Sequence, residues 1–336
     1  MVNSYVFQKY GAPMPGRNWE VFKATWILNC ALVVTDFVWG RHIGLVLGLD
    51  EVCWVVSRGC LGLLIALGLL FASGNLKIVG TARGRFYRDA ALGILWITSL
   101  AVFTCGATVL QYLSVSCGAS DVADVLISID ETFGIHWPRI YAEVHAREWL
   151  DIVLGAAYDS LFLQMALVPF ALIIAGKVEH YAEFVVQFMT AALIAVVIAT
   201  PFPAESAFTH FHVSDVSAIA SVSDFSDFRS GKMRELSFGT MQGLVSFPSF
   251  HAVLAVLIPY AMRRIKRLFL LFLPLNVLML ASTPVRGGHY LTDVAGGLAV
   301  AVVSIWIASR LMRGHSWRES GAVVATDGRS QVASEA

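Results

Sequence analysis

The sequence predicts an all-α, polytopic integral membrane bundle of about eight transmembrane helices. Three observations lead there. The 336 residues are 57% hydrophobic and only 14% charged, with a mean hydropathy of +0.68, which leaves too little polar surface for a soluble domain. The apolar residues come in runs of about twenty, the length that carries a helix through ~30 Å of hydrocarbon at ~1.5 Å per residue. These runs do not alternate apolar with polar residues as barrel strands would. In hydrocarbon each must satisfy its own backbone, which makes it a helix.

Taken in order, the spans are expected at residues 23–46, 53–73, 91–113, 151–175, 182–200, 248–262, 268–284 and 290–312. Residues 1–22, with Pro13, Pro15, Arg17 and Asn18 ahead of a long apolar run, read as a cytoplasmic segment and not as a signal peptide. Residues 313–336 are small and polar and read as a disordered cytoplasmic tail. With the N-terminus inside, 16 of the 24 lysines and arginines fall on the inner side and eight on the outer, a bias that sets this orientation. The basic turn Arg263, Arg264, Lys266 and Arg267 is one such inner determinant.

Two outer segments are long. In residues 114–150, Val122, Val125, Leu126 and Ile129 fall at helical spacing, with Asp121, Asp124 and Asp130 on another face, and Phe133, Trp137, Tyr141 and Trp149 follow. This is the pattern of an interfacial helix that packs over the bundle. Residues 201–247 are polar, rich in Ser and Asp, and end at a histidine motif. The span after them is short. Residues 248–262 rise only ~22 Å, so either His251 sits below the outer surface or the membrane thins there.

Composition excludes some classes of function. A net charge of zero gives no argument for nucleic acid. Cys30, Cys53, Cys60, Cys105 and Cys117 show no CxxC and no zinc spacing; an oxidising face would allow a Cys53–Cys117 bridge. No cofactor or metal is called for.

Two stretches carry the chemistry: Phe247-Pro248-Ser249-Phe250-His251-Ala252 and Arg286-Gly287-Gly288-His289-Tyr290-Leu291-Thr292-Asp293. Each places a histidine where an apolar helix begins, and the hairpin between them returns both to the outer face. Pro248 suits a first helical turn, whose free N–H groups face an anion. Ser249 adds a hydroxyl donor, and Arg286 offers a planar fork that matches phosphate oxygens. His289 and Asp293, at i and i+4, share a helix face, so the carboxylate can fix the tautomer that leaves Nε2 as nucleophile. His251 would then serve as acid and base, and two imidazoles with opposite required protonation predict a bell-shaped pH profile. His42, His136, His145, His180 and His315 read as interface residues, and Asp36 and Asp159 as helix-pairing groups.

These motifs resemble the second and third signatures of the type 2 phosphatidic acid phosphatase superfamily of membrane lipid phosphatases and phosphotransferases. The family's P-S-G-H appears as Pro248-Ser249-Phe250-His251. Its S-R-x(5)-H-x(3)-D is matched at Ser282, His289 and Asp293, with Thr283 in the arginine position. The F-P-S-hydrophobic-H-A and G-x-H-Y-x-x-D forms are similar to the branch of inositol phosphorylceramide synthases and their bacterial relatives, as, more diffusely, are Tyr158-Asp159-Ser160 and Gln164. The resemblance implies a six-helix catalytic core within 91–312, preceded by two extra helices within 23–90. It also implies a phosphohistidine mechanism without metal, a lipid phosphate substrate among membrane lipids, and a bacterial inner membrane with the site on its periplasmic face. By analogy His289 is the nucleophile, His251 the acid–base, Asp293 the orienting carboxylate and Ser249 a phosphate ligand.

The family's first motif, K-x(6)-R-P, is absent; the region reads Thr200-Pro201-Phe202-Pro203. Lys232, Arg234 and Arg286 are the candidate substrate-binding cations in its place. Two other classes stand beside the enzyme reading: a transporter with a buried ionisable cluster, and a metal-dependent hydrolase using His210, His212, His251 and His289.

Overall fold

A computed structural model describes residues 16–75, 77–214, 224–241 and 243–313. The N-terminal segment's residues 1–15 and the tail's residues 314–336 lie outside these. Among the described residues twelve helices run in sequence. Those long and apolar enough to cross a membrane number seven: α1 (Gly16–Ile43), α2 (Leu49–Ser73), α3 (Ala82–Val115), α6 (Glu148–Ile174), α7 (Val178–Ala199), α11 (Lys266–Gly287) and α12 (Leu291–Arg313). The eighth expected span is α10 (Phe250–Met262), only 13 residues long, which rise ~20 Å. The short helices α4 (Ala123–Thr132), α5 (Trp137–His145), α8 (Ala207–His210) and α9 (Phe225–Arg229) all fall in the two long outer segments.

Several helices outrun their apolar stretch because local chemistry extends them. Thr81 caps α3, its hydroxyl accepting from Gly84 N–H at 3.2 Å, so the helix starts before Arg83, Arg85 and Arg88 and not at residue 91. The single interfacial helix expected over 114–150 is two, because the Phe133–Gly134 turn breaks it (Gly134 φ +73°) and Pro138 in the first turn starts α5.

The packing has α3 at one side and α10 near the centre. α3 packs against α1, α2, α6 and α7; α10 packs against α7, α11 and α12; and α11 lies along α6. Polar seams join pairs of helices inside the apolar bundle. Asn29 of α1 donates to the Ser99 carbonyl at 3.0 Å. Asn276 of α11 donates to Gln164 of α6 at 2.6 Å, and Gln164 to Ser160 at 2.9 Å. At the α10–α11 turn Arg263 meets Glu183 of α7 at 2.5 Å. By contrast α2 buries only 6% of its apolar window and presents the rest outward. A two-residue parallel bridge, Val46 with Glu235 and Leu47 with Leu236, ties the α1–α2 loop to the long segment before α10, which puts both at the same end of the bundle. The five cysteines are free, so Cys53 and Cys117 form no bridge.

The close approach of α10 and α12 positions everything that follows. A Cβ on Gly297 would fall 2.2 Å from the Ser249 carbonyl oxygen, so only glycine lets α12 run this near. Gly297→Ala is therefore expected to force the two helices apart. It should cost about 1–3 kcal/mol, as overpacking does, and be read as a lower thermal midpoint of the detergent-purified protein. An unchanged midpoint would contradict this packing.

Candidate active site

Three segments meet at one end of the bundle: the start of α10, the α11–α12 turn and the first half of α6. Ser249 caps α10, its hydroxyl accepting from Ala252 N–H at 3.4 Å. It is fully buried. α11 ends at Gly288, whose φ of +64° is left-handed and natural for glycine. The turn is three residues, Gly288, His289 and Tyr290. His289 follows at once and the chain enters α12 at Leu291.

Asp293, one turn into α12, is fully buried. Its Oδ2 receives His289 Nδ1 at 3.3 Å, the Ser246 hydroxyl at 2.7 Å and Tyr290 N–H at 3.0 Å. Its carbonyl receives Ser249 N–H at 3.1 Å. The expected i, i+4 pairing of His289 and Asp293 is present, and the carboxylate leaves Nε2 turned away from it. The His251 ring lies beside His289 with centroids 6.2 Å apart at 59°. His251 Nδ1 lies 3.4 Å from the Tyr158 hydroxyl, and the two rings stack at 4.3 Å.

Arg286 is buried at the end of α11 and pairs with Asp151 of α6 at 3.3 Å. His145 Nε2 faces the same Asp151 oxygen at 3.5 Å and stacks on Tyr141. Of the expected site residues the structure thus gathers His251, His289, Asp293, Ser249 and Arg286 around one end of the bundle. Lys232 and Arg234 are held elsewhere. Lys232 is 77% exposed and nearest Asp227 at 3.9 Å. Arg234 donates to the carbonyls of Phe228 and Met233 and covers the Phe228 ring at 4.9 Å. Thr283, in the place of a family arginine, is buried and spends its hydroxyl on the Met279 carbonyl.

His210 sits between Asp124 at 3.8 Å and Glu205 at 3.6 Å, away from the histidine pair's own partners. Burial, with Asp121 beside it, holds the Glu205 carboxyl above its ordinary range, and His210 and His212 oppose this. Burial likewise pushes the Tyr290 phenol up, with Asp293 and Glu205 adding to it. Among the described residues no three His, Cys, Asp or Glu side chains converge in a metal-holding arrangement.

Two outer-segment residues matter that periodicity did not single out. Asp130 of α4 is buried and caps α12: its carboxylate accepts from Leu291 N–H at 2.8 Å, Thr292 N–H at 2.9 Å and the Thr292 hydroxyl at 2.6 Å. Trp137 of α5 donates its indole N–H to the Pro284 carbonyl at 3.0 Å. Together they grip the chain on both sides of the turn bearing His289. Their sequence signal was weak. Asp130 looked like one more residue of a solvated face, and Trp137 like one more interfacial aromatic.

Comparison with known proteins adds one finding. A model of the PAP2 superfamily matches residues 124–307, a little over half of the chain. No curated protein and no solved structure matches.

Removing the Asp130 carboxylate leaves the first N–H groups of α12 without their acceptor. Asp130→Ala is expected to lose about 1–3 kcal/mol of stability. The measurement is the thermal midpoint of purified protein beside Asp124→Ala, a neighbour on the same helix whose side chain is 93% exposed and whose loss should change little. Equal midpoints for the two variants would contradict the capping role.

Proposed function

Because the chain belongs to the PAP2 superfamily, whose model spans more than half of it, we propose that it is an integral-membrane phosphatase or phosphotransferase acting on a lipid phosphate through a phosphohistidine at His289, without a metal. The observation that carries this reading is the His289–Asp293 pair beside a second imidazole, with ring centroids 6.2 Å apart. One histidine has an anionic partner and the other does not, which suits a nucleophile and an acid–base group respectively.

In the first step the Nε2 lone pair of His289 attacks phosphorus in line. The bond from phosphorus to the leaving oxygen breaks with its electron pair on that oxygen, which takes a proton from the His251 imidazolium. Asp293 accepts a hydrogen bond from the Nδ1–H, without taking the proton, and offsets the positive charge gathering on the ring. In the second step neutral His251 takes a proton from water or an alcohol, whose oxygen attacks the phosphohistidine and frees His289. Water makes the protein a phosphatase; a lipid or sugar hydroxyl makes it a phosphotransferase of the synthase-like branch.

Ser249 and Arg286 are assigned to the phosphate oxygens. We place the binding cation at Arg286 and not at Lys232 or Arg234, since Arg286 sits on the α11–α12 connection and is steered by Asp151. We assign catalysis to a six-helix core, α3, α6, α7, α10, α11 and α12, with α1 and α2 added in front. We assign the site to the face opposite the lysine and arginine excess, which is the periplasmic side in a bacterial inner membrane or the lumen in a eukaryotic one.

The test is phosphate release from a panel of lipid phosphates by detergent-purified protein. His289→Ala should abolish turnover. Asp293→Asn should lower kcat by roughly 10³-fold or more, the scale seen when an orienting carboxylate becomes an amide. Acid-labile phosphate should be trapped on the wild type and not on His289→Ala, the pH profile should be bell-shaped, and EDTA should leave turnover unchanged. Equal activity in all three proteins, or activity lost to EDTA and restored by zinc, would overturn the reading.

A further inference from the structure

Of the two helices that grip the His289 turn, one shows a polar face away from the bundle and the other an apolar one. α5 presents the Arg139–Glu143 pair, 2.9 Å apart with both side chains exposed, as a helix facing water does. α4 presents Val125, Ile129 and Phe133, all exposed, Phe133 by 76%. We propose that α4 is an interfacial anchor: this apolar row inserts among the acyl chains of the lipid leaflet, and that contact holds the opposite side of the helix against the His289 turn. The anchor works in this way whatever reaction the site performs.

Helical period accounts for the arrangement. At ~100° per residue, Ala123, Leu126 and Asp130 share one face, and all three are buried. Val125, Ile129 and Phe133, the last just past the helix end, lie roughly 90° round from them. Asp124, Ser128 and Glu131 take the remaining arc, and all are exposed. One short helix thus offers three surfaces, for protein, for hydrocarbon and for water. The apolar stripe that periodicity assigns to a single face is divided: Leu126 turns to the bundle, Val125 and Ile129 away from it.

The depth of α4 says what meets its apolar row. Asp130 accepts from the Leu291 and Thr292 amides, the first two of α12, and α12 is long and apolar enough to cross a membrane. A side chain bonded to the first turn of a spanning helix holds α4 at that helix's membrane exit. There amphipathic helices bury an apolar face ~5–10 Å into the boundary between headgroups and acyl chains. Further along α12, Val302, Val303 and Trp306 are exposed, so the helix that α4 caps itself stands against lipid. Ile129 and Asp130 are chain neighbours with opposite tasks. With the row among acyl chains, the carboxylate stays within reach of its two amides; a row drawn into water lifts the helix and opens those bonds.

Two measurements on the full chain in phosphatidylcholine–phosphatidylglycerol vesicles test this. With the five native cysteines replaced by alanine, a nitroxide is attached through Val125→Cys, Ile129→Cys, Ser128→Cys or Glu131→Cys. Collisions with oxygen, which concentrates in hydrocarbon, should exceed collisions with a water-soluble nickel chelate at positions 125 and 129, and the order should reverse at 128 and 131. Readier access to nickel at all four, or shielding of 125 and 129 from both reagents by a second copy or another protein, would overturn the inference. Hydrogen exchange reads the coupling. Val125→Asp and Phe133→Asp alter exposed positions and spare the buried face. Each should speed exchange of the Leu291 and Thr292 amides about tenfold or more, while Ser128→Asp leaves it unchanged. Amides in the middle of α3 supply the reference for folded protein. Exchange at the wild-type rate in both variants would overturn the inference too. Neither measurement uses phosphate turnover, so both stand apart from the reaction proposed above.

Discussion

The site hangs on one buried carboxylate. Asp293 is wholly removed from solvent, and an uncompensated charge there would cost several kcal/mol. Its Oδ2 gathers an imidazole, a hydroxyl and a backbone N–H from three residues, and its own carbonyl holds the amide of Ser249. A single residue of α12 therefore fixes His289, the extended approach to α10 and the cap of α10 at once. The Gly297 contact one turn further on keeps this arrangement in register, because backbone meets backbone there with no side chain between.

The membrane bundle alone would leave the His289 turn free to move, since a turn at a helix hairpin's end has few neighbours. The outer segments supply them. Asp130 and Trp137 reach down from α4 and α5 to the two helix ends, and the Ala207 amide donates to the Gly288 carbonyl at 2.7 Å. A tight aromatic layer of Trp137, Tyr141, Phe208 and Phe211 lies above them. The packing logic is that of a preorganised site: groups that act are held by groups that do not.

Much of this was legible in the residues, for reasons that are local. Span length, the shortness of the segment before Arg263 and the i, i+4 relation of His289 to Asp293 all follow from helical period within a few residues, whereas Ser249, expected as a donor behind a helical Pro248, is itself the cap and accepts from Ala252 N–H. What was not legible is long-range. Asp130 lies about 160 positions from the amides it caps, and its charge groups it with Asp121 and Asp124 although the i, i+4 relation puts it on the face of the buried Leu126. Tyr158 lies 93 positions from His251, inside a run whose apolar character hid its direction. His145 read as an interface residue, yet it faces the Asp151 that steers Arg286. Arg234 read as a candidate ligand because its charge was visible, while the carbonyls that engage it were not. Periodicity tells which face a side chain occupies and never what waits opposite.

The short α10 has a consequence for topology itself. A census by length finds seven spanning helices, an odd number, and odd parity would send Arg313 to the face opposite Gly16. Counting the 13-residue helix makes the tally even, and the Asp130 hydrogen bonds to the Leu291 and Thr292 amides support that count by joining segments that odd parity would separate. An insertion apparatus reading hydropathy alone meets in α10 its weakest signal at the one crossing on which the meeting of the two imidazoles depends.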